Sequence, residues 1–440
     1  MVSTLLIFLY LFLALVALVQ PKIGLYFFFP IIFTYPSWLL WGKLPLNAGF
    51  DDVFLICLFI GSLVQGFGKV SVKWPVAAAF LFCLLAVMGD LSSIVANANL
   101  HLSTVWKRGL KNFGLVLLVY SMCATVQTPA QIKKMIYSLL IGAVFGGFFV
   151  IFYSVNKNAY NPFQVPDWMT ESGFKLHEAL GPFITHDTAG GVLGFAVLIA
   201  YFFLRLTKKG IAKLGIFLLF GILFLGLLLS NSRSGWIFAG VPIMLSSLFS
   251  KRKLLGIVLL ILMGIGVFIS IGTFEAFESR LEKTATQWEG ADLQSRTAGR
   301  YEVWKENLSN PKVHWLFFGE GFAVEKTHPH SNYIAMLKNT GCIGILFWLI
   351  YYGKIYRRAS LLKKYDPAPD MLAINSGIFW AFLGYWIYFL TATPMMWSEV
   401  RYIDFFLMTL LFLRCRQMEE EAVADYYVPT GYVETGWAYA

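Results

Sequence analysis

THPHSNYIAMLKNTGCIGILFWLIYYGKIYRR, residues 327–358, carries two histidines, then an uninterrupted apolar run, then Lys354, Arg357 and Arg358. The run is long enough for a membrane span, and the basic residues that close it are the signature of a cytoplasmic boundary. His328 and His330 stand at the other lip of that span. The same grammar repeats along the chain. Of 440 residues, 58% are hydrophobic and only 14% are charged, with mean hydropathy +0.65. A soluble domain cannot bury so much apolar surface. Backbone groups in hydrocarbon must be satisfied internally, and the alternation of a barrel is missing, so the expected fold is all-α and polytopic.

Apolar segments at or near spanning length fall at 2–19, 23–41, 51–66, 74–90, 109–126, 135–153, 186–204, 214–230, 234–250, 254–273, 339–356, 371–393 and 400–414. The opening run lacks a basic n-region and a small-residue cleavage site, so it reads as a span and not as a cleaved leader. Basic clusters occupy alternate links: Lys69 and Lys73; Lys133 and Lys134; Arg205 to Lys213; Lys251 to Lys253; Arg357 to Lys364; Arg414 and Arg416. They lie two or four spans apart, so all can face the cytoplasm together. The net charge of +10 therefore orients the chain and does not imply nucleic acid. Thirteen runs would leave Met1 outside; twelve spans follow if one of the first three, broken by Pro30 and Pro36, fails to cross. The expected organisation is N-terminal membrane helices over 1–180, core membrane helices over 181–273, an exported loop domain over 274–338, C-terminal membrane helices over 339–414 and a cytoplasmic tail over 415–440. That tail reads as a flexible end from Glu419.

The loop 274–338 holds eight Lys/Arg and nine Asp/Glu, nearly neutral and unlike the basic links. The five cysteines follow no metal or disulfide spacing and read as small buried hydrophobes. Candidate chemistry collects at the non-basic edge. In SNSRSGW (230–236), Arg233 lies at the outer boundary; it either snorkels or meets an anion such as a phosphate, which the guanidinium fork suits. In SRTAGRYEVWKENL (295–308), Ser295 is a candidate N-cap and Arg296 and Arg300 share a helical face; a solvated amphipathic helix is the simpler alternative. LFFGEGF (316–322) supplies a Gly-x-Gly turn, and THPHSNY leads into the next span. A neutral imidazole there can act as a base or can merely bond loop carbonyls. A zinc site at His328 and His330 is disfavoured by spacing and by the lack of a third ligand. His186 and Asp187, in GPFITHDTAGGVLGFAV (181–197), form another polar group on the same side. Together these favour an anionic lipid headgroup with its cargo projecting outward. A transporter would instead place charge at mid-membrane depth, where the apolar runs carry little.

The succession SNSRSGW, long loop, GRYEVW, LFFGEGF and PHSNYIAMLKNTGCIGILFWL resembles the O-antigen ligase and polymerase superfamily, over roughly residues 180–356. GPFITHDTAGGVLGFAV resembles the small-residue helix that precedes the first arginine in that family. The resemblance implies about 12–13 transmembrane helices with a large, partly helical periplasmic loop, like the C-type glycosyltransferases, in the bacterial inner membrane. It implies that Arg233 and Arg300 hold the diphosphate of an undecaprenyl-linked glycan and that His330 activates a hydroxyl acceptor on lipid A core, a glycan or a protein Ser/Thr. Arg296, Asn332 and His186 are candidate supporting residues, and no metal or other cofactor is expected; the partners are the lipid-linked donor, the acceptor and membrane lipids, not nucleic acid. Family members commonly have Asn directly after the histidine, where this chain has Ser331 and then Asn332, and often Glu before the span-opening glycine, where Asn339 and Thr340 precede Gly341. The His-Ser-x-Tyr form resembles ligase-like members with acceptors other than lipid A core. Ligase, polysaccharide polymerase and protein O-oligosaccharyltransferase remain alternative outcomes of one chemistry, with a lipid or polysaccharide transporter the alternative from another class.

Overall fold

The computed structural model describes residues 2–34, 49–66, 72–96, 102–156, 182–183, 185–207, 210–230, 232–248, 261, 303–305, 317–321, 331–392 and 398–427. Among the described residues the fold is a bundle of helices with no strand. They are α1 (Val2–Val19), α2 (Pro21–Ile32), α3 (Phe50–Gly66), α4 (Lys73–Ala96), α5 (Leu102–Thr125), α6 (Pro129–Val155), α7 (His186–Leu206), α8 (Gly210–Leu229), α9 (Arg233–Leu248), α10 (Asn332–Tyr365), α11 (Pro369–Thr391) and α12 (Ser398–Tyr427). Six of these, α4, α6, α7, α8, α10 and α11, are long and apolar enough to cross a membrane, while α1, α2, α5 and α9 contain shorter apolar helices. The chain is a multi-pass membrane protein. The expected span at 254–273 lies outside the described residues. The helix α2 has 12 residues with Pro30 inside it. At ~1.5 Å per residue it is roughly 18 Å long, short of the ~30 Å hydrocarbon core.

Charge sorts the two ends of the bundle. At one end Lys133 of α6 pairs with Asp370 of α11, and Arg205 Nη1 donates to Ser246 O (3.4 Å). Lys354 stands 4.6 Å over the Trp74 ring and Lys363 4.1 Å over Phe379. The buried Arg414 guanidinium grips Asp366 through Nε–Oδ2 (2.7 Å) and Nη2–Oδ1 (2.9 Å). Asn375 Nδ2 and the Ala368 amide complete the carboxylate's partners. The segment after Glu419, read from sequence as a flexible end, is instead helical to Tyr427. Ion pairs explain the extension: Arg414–Glu421 (2.9 Å), Arg416–Glu420 (2.7 Å) and Arg358–Glu419 (3.3 Å) tie the last turns of α12 to themselves and to α10.

Helix α7 is the axle of the bundle, wrapped by α6, α8, α9, α11 and α12. Its small residues permit a close crossing with α9, where a Cβ at Gly235 would lie 2.6 Å from the Gly190 Cα. Small residues let membrane helices gain backbone-to-backbone packing where lipid offers no hydrophobic drive. Within the apolar run of α12 the fully buried Asp404 accepts from Tyr351 OH (2.8 Å) and Tyr352 OH (3.1 Å), so α10 and α12 are cross-linked inside the membrane. Asp404 is thus one of the few ionisable residues inside an apolar run, and its hydroxyl donors come from a neighbouring helix. Four cysteines are buried or half-buried, but Cys342 is exposed, because it lies on the outward apolar stripe of α10 with Ile343, Leu346, Leu349 and Ile350.

Candidate functional site

The N-termini of α7, α9 and α10 gather at the end opposite the basic one. Helix α9 starts at Arg233 because Ser232 caps it: Ser232 Oγ accepts from the Gly235 amide (3.1 Å) and Ser232 O from the Trp236 amide (3.0 Å). Ser230 Oγ accepts from the Ser232 amide (3.3 Å), and Trp236 Nε1 reaches back to Leu227 O (2.8 Å), which fixes the tight link from α8. Helix α7 starts at His186, capped by Thr185, whose Oγ1 accepts from the Thr188 amide (3.1 Å). Asp187 in that first turn accepts from Ser234 Oγ (3.2 Å), stitching the two helix starts together. Helix α10 starts at Asn332 with Ser331 at its N-cap.

The last turns of α11 join the three. Tyr388 OH donates to Asp187 O, and its ring stacks on Phe238 of α9 at 5.3 Å and 17°. The next residue, Phe389, offers its carbonyl to Ser331 Oγ (3.4 Å), while Tyr333 OH donates to Trp386 O (3.0 Å). Successive residues on a helix point about 100° apart, so Tyr388 and Phe389 address two different neighbours. The residue after Ser232 is Arg233, and the residue before Ser331 is His330. Each helix N-terminus carries partial positive charge, about +0.5 e when isolated, so three at one lip favour an anion.

Nine residues beyond its start, α10 is broken. Gly341 has φ 66° and ψ −168°, a region essentially reserved for glycine. The turn at Phe317–Gly321 fills the break. Glu320 N donates to Lys338 O (2.6 Å), Gly321 N to Asn339 O (3.0 Å), and Ile343 N to Phe317 O (3.3 Å). Gly319 and Gly321 both take positive φ, 74° and 73°. A Cβ on Gly319 would strike the α10 backbone at 338–340, and one on Gly321 would strike Asp90 of α4. The expected Gly-x-Gly turn thus exists, and both glycines are demanded by backbone contact. The domain boundary expected at 338/339 falls next to the break, with the helix itself beginning earlier, at Asn332.

Of the residues singled out from sequence, Arg233 and His186 are the first residues of α9 and α7, and Asn332 is buried at the start of α10. Arg296, Arg300, His328 and His330 lie outside the described residues, as does the candidate cap Ser295. Near Arg300, Val303–Lys305 form a helical turn in which Val303 and Trp304 are half-buried. Among the described residues no group of three His, Cys, Asp or Glu is placed to hold a metal. Sequence reasoning missed Tyr388, Ser92, Ser93 and the Arg401–Asn112 pair (2.6 Å) at the start of α12. For Ser92 and Ser93 a signal existed, since GDLSS (89–93) puts an acid and two hydroxyls at the end of an apolar run. No curated protein matches the chain. Residues 218–349, from α8 through the first half of α10, match the family model described as O-Antigen ligase. That segment, about a third of the chain, is thus similar to the O-antigen ligases, and it holds the link SNSRSGW, the 317–321 turn and the break in α10.

Proposed function

We propose that the protein transfers a glycan from undecaprenyl diphosphate to a hydroxyl acceptor at the periplasmic face of a bacterial inner membrane. The observation that carries this reading is that the matched segment 218–349 contains Arg233, Arg300 and His330 together. Tyr388 of α11 bonds the start of α7, which Asp187 and Ser234 stitch to the α9 start next to Arg233, and the following residue, Phe389, bonds Ser331 next to His330; this supports a single site.

In this mechanism Arg233 and Arg300 hold the donor diphosphate by charge-assisted, forked hydrogen bonds, aided by the helix N-termini. His330 accepts the proton of the acceptor hydroxyl. The acceptor oxygen then bonds to the anomeric carbon as the bond from that carbon to the phosphate oxygen breaks, and undecaprenyl diphosphate leaves. The leaving group is already stable as an anion, so two guanidinium groups can supply the electrostatic assistance without a metal. General-base help from a histidine contributes ~10²–10⁴-fold. Arg296, His186 and Asn332 support the phosphate site and its walls. The end carrying Arg205, Arg414 and the lysines faces the cytoplasm by the positive-inside rule. The test is transfer by the purified protein in nanodiscs, using undecaprenyl-diphosphate-linked oligosaccharide with lipid A core, glycan or Ser/Thr peptide acceptors. Activity surviving excess chelator supports the mechanism; loss on chelation restored by Mg²⁺ or Mn²⁺ contradicts it. Product on a second lipid-linked glycan would make the enzyme a polymerase, the closest alternative within the same chemistry.

A further inference from the structure

Two pieces make up α10. Residues 342–365 are roughly 36 Å of helix at ~1.5 Å per residue, enough to cross a hydrocarbon core alone. Residues 332–340 form a separate upper piece that begins next to His330. A break in a membrane helix strands carbonyls above it and amides below it, and hydrocarbon cannot satisfy either. Here the turn at 317–321 pairs with both sides of the break through main-chain bonds. That turn is in turn held by α4. Ser92 Oγ lies 2.6 Å from Gly319 O and 2.7 Å from Gly89 O, so it bridges turn and helix. Ser93 Oγ donates to Glu320 O. The approach is close, since a Cβ on Gly89 would sit 2.8 Å from the Gly321 backbone and 2.6 Å from Asn339 O.

We propose that Ser92 and Ser93 are positioning residues for the transfer reaction: through the 317–321 turn they fix the upper piece of α10, whose N-cap Ser331 directly follows His330 in the sequence. This rests on the reading of His330 as the base. The two serines touch no reacting atom in that reading. They act through the backbone carbonyls of Gly319 and Glu320, on a turn packed so closely at Gly319 and Gly321 that a Cβ at either would strike α10 or α4. The upper piece is thereby clamped at its lower end by the turn and at its upper end by α11, through Ser331 and Tyr333. Two clamps on a nine-residue piece fix its tilt as well as its height.

The test uses the full-length protein in nanodiscs with undecaprenyl-diphosphate-linked oligosaccharide and an acceptor that supports wild-type turnover. The double variant Ser92→Ala/Ser93→Ala should lower kcat by ~10–100-fold, the scale expected for ångström-level misplacement of a catalytic group. Donor KM should rise by far less than kcat falls, because Arg233 and Arg300, the main donor contacts in that reading, lie off the upper piece. In a His330→Ala background the same pair should cost nothing further, since a positioning effect disappears with the group positioned. Ser92→Thr, which keeps the hydroxyl, should retain most activity. Amide hydrogen exchange over 331–340 should quicken in the double variant without loss of folded protein. Additive losses in the His330→Ala background, or a matched rise in KM, would overturn the proposal. Unchanged exchange over 331–340 would overturn it independently. If the wild type turns over no lipid-linked donor, the transferase reading fails while the exchange measurement still decides whether the serines hold the clamp.

Discussion

Gly190→Ala on α7 is a sharp test of how the candidate site is packed. The added Cβ would collide with Ser232 Oγ and lie 2.6 Å from Ser232 Cβ, with Gly235 Cα at 3.2 Å. The hydroxyl could rotate away, but it would then release the Gly235 amide and uncap α9 at a cost of about 1 kcal/mol. Ser232 Cβ cannot rotate away, so α7 and α9 must separate by roughly an ångström, and overpacking of this kind costs about 1–3 kcal/mol. Alanine returns up to ~1 kcal/mol of helix propensity, leaving a net destabilisation of about 1–3 kcal/mol. The functional loss should exceed the stability loss, since Arg233 follows Ser232 directly and a shift of that size can cost ~100-fold in turnover. The assay is a thermal scan of the purified protein by size-exclusion monodispersity, run beside donor turnover. The control is Gly221→Ala on α8, where nothing lies within 4 Å of the new Cβ and no loss is expected. Wild-type stability and turnover in Gly190→Ala would refute the close crossing.

Other perturbations report on other parts of the bundle. Arg414→Met should destabilise by about 3–5 kcal/mol, because it leaves Asp366 buried without its guanidinium; pairing it with Asp366→Asn should recover much of the loss in the same thermal scan. Tyr351→Phe and Tyr352→Phe each remove one donor from buried Asp404 and should each cost about 1–3 kcal/mol. The combined variant should lose less stability when Asp404→Asn is also present, and an unchanged loss would show that the carboxylate is not the reason. In a cysteine-free background, Asp292→Cys should react with an impermeant thiol reagent added to spheroplasts while Lys363→Cys should not; the reverse labelling would invert the site assignment.

What was legible in the sequence was what hydrophobicity and local chemistry dictate. Apolar runs bounded by Lys133, Arg205 and Lys363 became helices whose basic ends cluster together, because desolvation forces both outcomes. The runs at 186–204 and 234–250 placed the starts of α7 and α9 to within a residue, while the caps Thr185 and Ser232 that fix those starts went unread. LFFGEGF was readable as a turn but not as a plug. Its partners are the α10 backbone and Ser92, 227 residues away in sequence, and main-chain pairing leaves no residue pattern behind. The break at Gly341 was hidden for a related reason: a lone glycine in an apolar run reads equally well as a packing site. Asp404 was passed over inside its run because the tyrosines that make its burial tolerable come from another helix. The helical extension to Tyr427 depends on ion pairs spaced for helix but read as mere acidity, Arg416 with Glu420 being the plainest.

The central claim is that Arg233 and Arg300 bind the lipid diphosphate while His330 activates the acceptor. The most direct measurement is donor binding and turnover, side by side, for His330→Ala, Arg233→Ala, Arg300→Ala and His328→Ala in nanodiscs. His330→Ala should lose ~10²–10⁴-fold in turnover while keeping donor affinity. Each arginine variant should weaken donor binding by about 1.5–3 kcal/mol as well, with lysine rescuing only in part because a point charge lacks the fork. His328→Ala should stay close to wild type. Wild-type turnover in His330→Ala, or loss of turnover in His328→Ala instead, would contradict the account.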